Sequence, residues 1–260
     1  MLRSVMSWRA VPATVALAVS MVLTSGFLTP VLAKPICIPP AGLVQLGGPL
    51  PVLKGALDRG ALDADAPVRI VALGSSSTAG AGASGRDQTY PARLAHRLRM
   101  RFPGQRFEIY NRGKGGELAT HMLARLDQDV LSLQPHLVIW QTGVNDAIRR
   151  VDQAAFRKTV EAGLARMRAA GIDVVLVDQQ YYPRSIKVQG YRKYLHLVRA
   201  IGVEHGVPVF RRYQLMTHLV ETAQYDVDDL LAPDRFHLND RSYACVGRVL
   251  ADALATTVMR

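Results

Sequence analysis

From residue 67 onward, short apolar runs alternate with longer stretches of helical length. Val68–Leu73, Phe107–Asn111, Leu137–Gln141, Val174–Val177 and Val207–Phe210 are brief and mostly apolar, as expected of strands buried in a sheet. Tyr90–Arg101, Leu118–Leu131, Gln153–Ala170 and Gly190–His205 fill the intervals as helices, and a last helix is expected from Ser242 to about Thr257. Gly104 and Gly171 stand where helices stop, since glycine takes the left-handed closing position at least cost. Pro135 lies just before the third strand, where helical continuation is disfavoured. Five strands separated by helices predict an α/β domain, residues 67–260, built on a parallel sheet covered on both faces.

Upstream the pattern changes. Residues 34–66 hold Pro35, Pro39, Pro40, Gly42, Gly47, Gly48, Pro49 and Pro51 and read as a Pro/Gly-rich arm leading into the domain. Residues 1–33 carry Arg3 and Arg9, then an uncharged stretch from Ala10 to Leu28, then Val31-Leu32-Ala33. That order is a signal peptide with a small residue before the cut, so the mature chain would begin at Lys34 and be periplasmic or secreted. An uncleaved anchor is the lesser alternative, because Pro12, Ser20, Thr24, Ser25 and Gly26 dilute the apolar run. With 260 residues and 49% hydrophobic content, one catalytic domain is the simplest account of the rest.

The formal charge of +11 raises nucleic acid as a partner. The basic residues argue otherwise: Arg93, Arg97, Arg99 and Arg101 are spread along a helix without interleaved aromatics, and an exported protein meets little nucleic acid. An anionic envelope surface is the partner such an excess would favour, a solvated basic surface the plainer reading. Cys37 and Cys245 would lie in an oxidising compartment, where a bridge would tie the arm to the last helix; two free thiols is the alternative. Neither cysteine has ligand spacing to a histidine or another cysteine, so no metal site is expected.

Four short motifs carry the chemistry: Gly74-Ser75-Ser76-Ser77, Asn111-x-Gly113-x-x-Gly116, Gly143-x-Asn145-Asp146 and Asp234-x-x-His237. Three of them follow a strand directly, at the edge where an α/β sheet presents its ligand site. A serine hydroxyl needs an adjacent base to become a nucleophile. His237 is the best of seven histidines because Asp234, three residues before it, is spaced to hold the imidazole's other nitrogen. Acyl transfer also needs oxyanion donors, which the Gly116 backbone N–H and the Asn145 side-chain amide supply. A phosphate loop would need Lys then Ser or Thr after Gly116, and Glu117-Leu118 does not provide them.

In these motifs the chain resembles the SGNH hydrolases, the GDSL-type esterase and lipase superfamily. The motifs span Gly74 to His237, most of the domain. The resemblance implies a three-layer α/β/α sandwich with a five-stranded parallel, flavodoxin-like sheet. It implies Ser76 as nucleophile, His237 and Asp234 as its partners, and an oxyanion hole of Ser76 N–H, Gly116 and Asn145, with no cofactor and no metal. Two departures stand out: Ser75 replaces the acidic residue that usually precedes the nucleophile, leaving three consecutive serines, and Leu238 replaces a frequent proline.

The expected function is an exported serine esterase acting on an acylated glycan, a lipid or a small ester through an acyl-enzyme. The alternatives are an envelope polysaccharide O-acyltransferase using the same triad and a catalytically silent envelope-binding protein. Trp140, Val144, Ile148, Tyr181, Tyr182 and Phe236 flank the motifs and are candidate pocket residues. The long acidic connection Thr222–Arg235 is a candidate lid or a solvated loop.

Overall fold

The computed structural model describes Met1, residues 37–63 and residues 65–260. The expected signal segment, residues 1–33, lies outside the described residues save for Met1. No helix of the described residues is long and apolar enough to cross a membrane.

Five strands form one parallel sheet: β1 (Val68–Gly74), β2 (Phe107–Gly113), β3 (Leu137–Gln141), β4 (Asp173–Val177) and β5 (Val209–Phe210), in the order β2-β1-β3-β4-β5. The register aligns Gly74 with Gly113 and Leu73 with Trp140. Every residue of β3 is buried, whereas β2 at the edge mixes apolar with polar residues and stays mostly half-exposed. This composition follows from position, since a central parallel strand has helices on both faces and an edge strand has one open side.

The helices are α1 (Pro51–Leu62), α2 (Ser76–Ala79), α3 (Tyr90–Arg101), α4 (Ala119–Ala124), α5 (Leu126–Asp129), α6 (Val144–Ile148), α7 (Gln153–Ala169), α8 (Tyr191–Glu204), α9 (Arg212–Glu221), α10 (Val227–Leu230) and α11 (Asp240–Val258). α1, α3 and α11 pack together over the sheet, and α4, α7 and α8 form the other layer. The expected three-layer α/β/α sandwich with a five-stranded parallel sheet is the fold observed. α3 and α11 approach closely because Gly247 faces α3: a Cβ there would lie 2.8 Å from the Tyr90 carbonyl oxygen. Gly163 of α7 likewise makes room for the Trp140 indole, which a Cβ would meet at 2.5 Å.

Three elements differ from the sequence expectation. Residues 34–66 are more than an arm: Pro51 opens a helix instead of breaking one, its missing N–H falling where no intrahelical partner exists. The Asp173 carboxylate accepts the free N–H of Leu53 in that first turn, at 2.8 Å, and Leu53 and Ala56 enter the core. The expected helix 118–131 is broken into α4 and α5 at Arg125, whose buried guanidinium turns to backbone carbonyls. The stretch Thr222–Arg235 is not a free loop, because it contains α10 and buries Tyr225, Leu230 and Leu231. Cys37 and Cys245 are joined in a disulfide, with Cα atoms 5.7 Å apart, tying the segment before α1 to α11.

Candidate active site

All five strands are parallel, but β2 is added on one side of β1 and β3 on the other, so the winding order reverses between β1 and β3. That switch point is where open α/β sheets bind ligands. α2, directly after β1, begins with Ser76, and α6, after β3, carries Asn145 in its first turn, one on each side of it.

The serine turn is held from below. Gly74 is obligatory, since a Cβ would lie 2.1 Å from Thr78 Oγ1. The Gln141 side-chain Oε1, at the end of β3, accepts from the Ser75 N–H at 3.2 Å, the Ser75 hydroxyl at 3.3 Å and the Thr78 hydroxyl at 3.2 Å. Ser75 and Ser77 are both buried and bonded inward, which leaves Ser76 as the one of the three serines that meets the histidine. Ser76 is also the first residue of α2, where a backbone N–H has no intrahelical acceptor.

The histidine comes from a turn between α10 and α11. Asp234 Oδ1 accepts the backbone N–H groups of Phe236 and His237, at 3.0 and 2.9 Å, and so builds the turn. Its Oδ2 lies 2.6 Å from His237 Nδ1, while His237 Nε2 lies 2.9 Å from Ser76 Oγ. A carboxylate only accepts, so Nδ1 carries the proton and Nε2 is left to receive the serine's. Burial raises the Asp234 carboxyl, but the bonds from the His237 ring and from the two backbone N–H groups outweigh it and hold Asp234 below its ordinary value. Gly82 lets this turn approach the serine loop, because a Cβ there would lie 2.4 Å from the Leu238 carbonyl oxygen. Leu238 itself, standing where a proline was usual, is fully buried and pairs with Leu231 across an antiparallel bridge.

Gly116, in the loop after β2, and Asn145, in the first turn of α6, adjoin. Gly116 has φ of 75°, a conformation that favours glycine. The Asn145 amide donates to the Glu117 carbonyl at 2.8 Å, which ties α6 to the loop after β2 and leaves its second hydrogen uncommitted. Asp146 beside it is buried and accepts the Ala119 N–H that starts α4, at 3.1 Å; burial raises its carboxyl, and that bond partly offsets the effect. Arg125 ties together the ends of β1 and β2, donating to the Gly74 and Arg112 carbonyls and pairing with Glu117 and Asp129.

One residue that the motifs do not single out links the two halves of the site. Gln180, fully buried just after β4, accepts from the Ser77 hydroxyl at 2.6 Å and donates to the Phe236 carbonyl at 2.8 Å. Ser77 follows the candidate nucleophile and Phe236 precedes the candidate base. The signal was present in the sequence: Asp178-Gln179-Gln180 is a polar run directly after an apolar strand, and all three are fully buried. The Tyr191 hydroxyl fixes the Gln180 backbone by donating to its carbonyl at 2.8 Å.

The candidate pocket residues divide. Trp140, Val144 and Tyr182 are buried in the core and do not line an open surface. Ile148 is exposed, and Tyr181 and Phe236 are half-buried. Phe236 packs edge-on between Tyr182 and the His237 ring, with centroids 4.8 and 4.7 Å away. Among the described residues, Glu161, Glu204 and His205 place ligand atoms within 4.8 Å of one another. Arg157 pairs with both carboxylates there, so the cluster already holds a cation.

A 2-1-3-4-5 parallel sheet with a Ser–His–Asp chain of hydrogen bonds at its switch point defines the SGNH/GDSL hydrolase class. The model of the Non-GDSL lipase-like family matches residues 36–260, and the chain belongs to that family. No curated protein sequence matches it. Among solved structures it is similar to a two-domain esterase active on acetylated mannans, with 25% identity and a TM-score of 0.69 over 84% of this chain and 56% of that one. The chain therefore spans little more than half of that relative's length. An acetyl xylan esterase shares 22% identity, with a TM-score of 0.60 over 73% of this chain and 98% of its own. A lipase/acylhydrolase from Enterococcus faecalis shares 21%, with a TM-score of 0.59 over 72% and 95%. The last two likenesses concern the fold.

Proposed function

We propose that the protein is a serine esterase that removes short acyl groups, acetyl foremost, from a bulky alcohol such as a glycan. The observation that carries this is the His237 imidazole, bonded at once to the Ser76 hydroxyl and the Asp234 carboxylate. In the first step Ser76 Oγ attacks the ester carbonyl carbon, His237 Nε2 takes the hydroxyl proton, and the carbonyl π pair moves onto oxygen. The Ser76 N–H, the Gly116 N–H and the Asn145 amide receive that oxyanion, each such donor being worth on the order of 10²–10³ in turnover. Collapse expels the alcohol, which leaves with the proton from Nε2, and water then repeats the sequence on the acyl-serine.

The site's exposure favours a bulky substrate. The Asp234 side chain is 49% exposed and the His237 side chain 18%, so the triad lies near the surface, reachable by a polymer. The activities named for the mannan- and xylan-acting neighbours point the same way. The disulfide supports export, because such bridges persist in oxidising compartments.

Hydrolysis of a 4-nitrophenyl ester series from acetyl to palmitoyl tests the reading, with Ser76→Ala and His237→Ala run beside the wild type. A rate peak at acetyl and a loss of at least about 10³-fold in both variants are expected. Full activity in Ser76→Ala would remove the mechanism. Acyl transfer to a saccharide in place of release of free acid would move the protein to the transferase alternative.

A further inference from the structure

A groove of about 520 Å³ leaves the catalytic edge and runs down the open margin of the sheet. Its upper end is walled by Ala79, the last residue of the turn that begins with Ser76, and by Gly113. These two touch, since a Cβ on Gly113 would lie 2.1 Å from the Ala79 nitrogen. From there one wall follows Pro91, Ala95 and Arg99, a single face of α3, and the other follows Ile109 and Asn111 of β2. The eight helical steps from Pro91 to Arg99, at about 1.5 Å each, make the groove roughly 12 Å long.

Its charge is one-sided. Arg86 stands at the catalytic end and Arg99 at the far end, and no carboxylate lines the space between them. Both guanidinium groups are exposed, and neither makes an ion pair with a described residue. Asp87, next to Arg86 in sequence, instead takes the Gln88 side-chain amide at 2.6 Å. The other arginines of α3 differ: Arg97 and Arg101 pair with Asp252, and Arg93 donates to Gln88. The lining between the arginines includes the small apolar Ala79, Ala92 and Ala95, and β2 is an edge strand whose outer N–H and C=O groups have no strand partner.

We propose that this groove is a substrate subsite for an acidic glycan, in which carboxylates spaced along the sugar chain meet Arg86 and Arg99 while an acylated neighbouring sugar reaches Ser76. A guanidinium presents a planar fork that matches a carboxylate, and two of them at opposite ends of a shallow groove select a chain with repeated charge. The small apolar lining and unpaired strand edge suit sugar rings and their hydroxyls. The proposal rests on the esterase reading and gives it a substrate class: acyl esters on a polyuronate, preferred over the same esters on a neutral glycan.

Binding separates this proposal from the chemistry. The full chain carrying Ser76→Ala is titrated calorimetrically with de-esterified polygalacturonate and with neutral xylan, with and without Arg86→Gln/Arg99→Gln. Polygalacturonate should bind, lose about tenfold in affinity in the double variant and weaken as salt rises from 0.02 to about 0.2 M, whereas xylan should bind weakly and indifferently. Turnover of 4-nitrophenyl acetate by the Arg86→Gln/Arg99→Gln enzyme should stay within twofold of wild type, while KM on O-acetylated polygalacturonate should rise about tenfold. Equal binding of both glycans, an unchanged polygalacturonate affinity in the double variant, or binding confined to anionic lipid vesicles would overturn the subsite. Loss of all ester hydrolysis by wild-type protein, with the arginine-dependent binding intact, would overturn the esterase reading and leave an acidic-glycan site standing.

Discussion

Replacing Gln180 by Leu removes the bridge between the serine and histidine loops while keeping the side chain's approximate volume. Two bonds are lost, one from the Ser77 hydroxyl and one to the Phe236 carbonyl. They are not equivalent. The Ser77 hydroxyl is buried and loses its acceptor, whereas the Phe236 carbonyl lies in a part-buried setting. The cost is therefore that of one poorly satisfied group, about 1–3 kcal/mol, where two fully orphaned groups would cost about double. In a domain of this size that lowers Tm by roughly 2–10 °C. The kinetic effect should be larger than stability alone implies, because the bridge helps set the 2.9 Å separation between Ser76 Oγ and His237 Nε2. A misplacement near 1 Å costs on the order of 10² in rate. The expected result is a fall in kcat of about 10–100-fold on 4-nitrophenyl acetate with KM unchanged, and an equally slowed reaction with a fluorophosphonate probe. Gln180→Glu should be at least as damaging, since it keeps an acceptor for Ser77 but sets a second carboxylate oxygen against the Phe236 carbonyl. A kcat within twofold of wild type, in Gln180→Leu protein whose Tm has fallen as stated, would refute the argument: the bridge would then hold the fold and not the catalytic distance.

Asp234→Asn should keep the turn, because an amide oxygen still accepts the Phe236 and His237 N–H groups, yet lose about 10²–10³ in kcat; the half-exposed carboxylate is worth less here than a buried one. Since folding lowers the Asp234 pKa, its contribution to stability is complete above the ordinary carboxylate value and is lost as pH falls through the lower folded value; acid unfolding of wild type and Asp234→Asn should converge there. Breaking the Cys37–Cys245 bridge with reductant, or by a double Cys→Ser change, removes the closure of a loop of 208 residues and should cost up to about 5 kcal/mol by urea titration, with kcat unchanged where the protein stays folded. Gly113→Ala should destabilise by about 1–3 kcal/mol and lower kcat at least tenfold, since its methyl group would push directly on the backbone of α2; an unchanged kcat would mean that the serine turn is not braced by β2.

Much of this architecture was legible because the chemistry and the chain agree locally. Strands that are buried on both faces read as apolar runs, and β1, β3 and β4 fell within a residue of their expected bounds. The spacing Asp234-x-x-His237 also translates directly, since the turn it builds is made from its own backbone N–H groups. What resisted reading depends on distant partners. α1 looked like a loop because its first turn is satisfied by Asp173, 120 residues away. α9 begins with Arg212, a fully buried cation that donates to the Asp178 carbonyl, and local pattern assigns arginine to the surface. The choice among three serines depended on which of them Gln141 and Gln180 draw inward. Trp140 beside the third motif looked like a pocket wall because nothing local announces that Gly163 has made room for it underneath.

The disulfide and the last helix together set an order on the making of this molecule. α11 provides Cys245 and covers α3, and the turn holding Asp234 and His237 immediately precedes it. A chain emerging from its N-terminus therefore presents Cys37 and the serine turn long before either can meet its partner. Sealing the bridge and arming the serine both wait for the final stretch of translation. A shortened product, stopped anywhere before residue 237, would carry Cys37 without its disulfide partner and Ser76 without the imidazole that it meets in the folded chain.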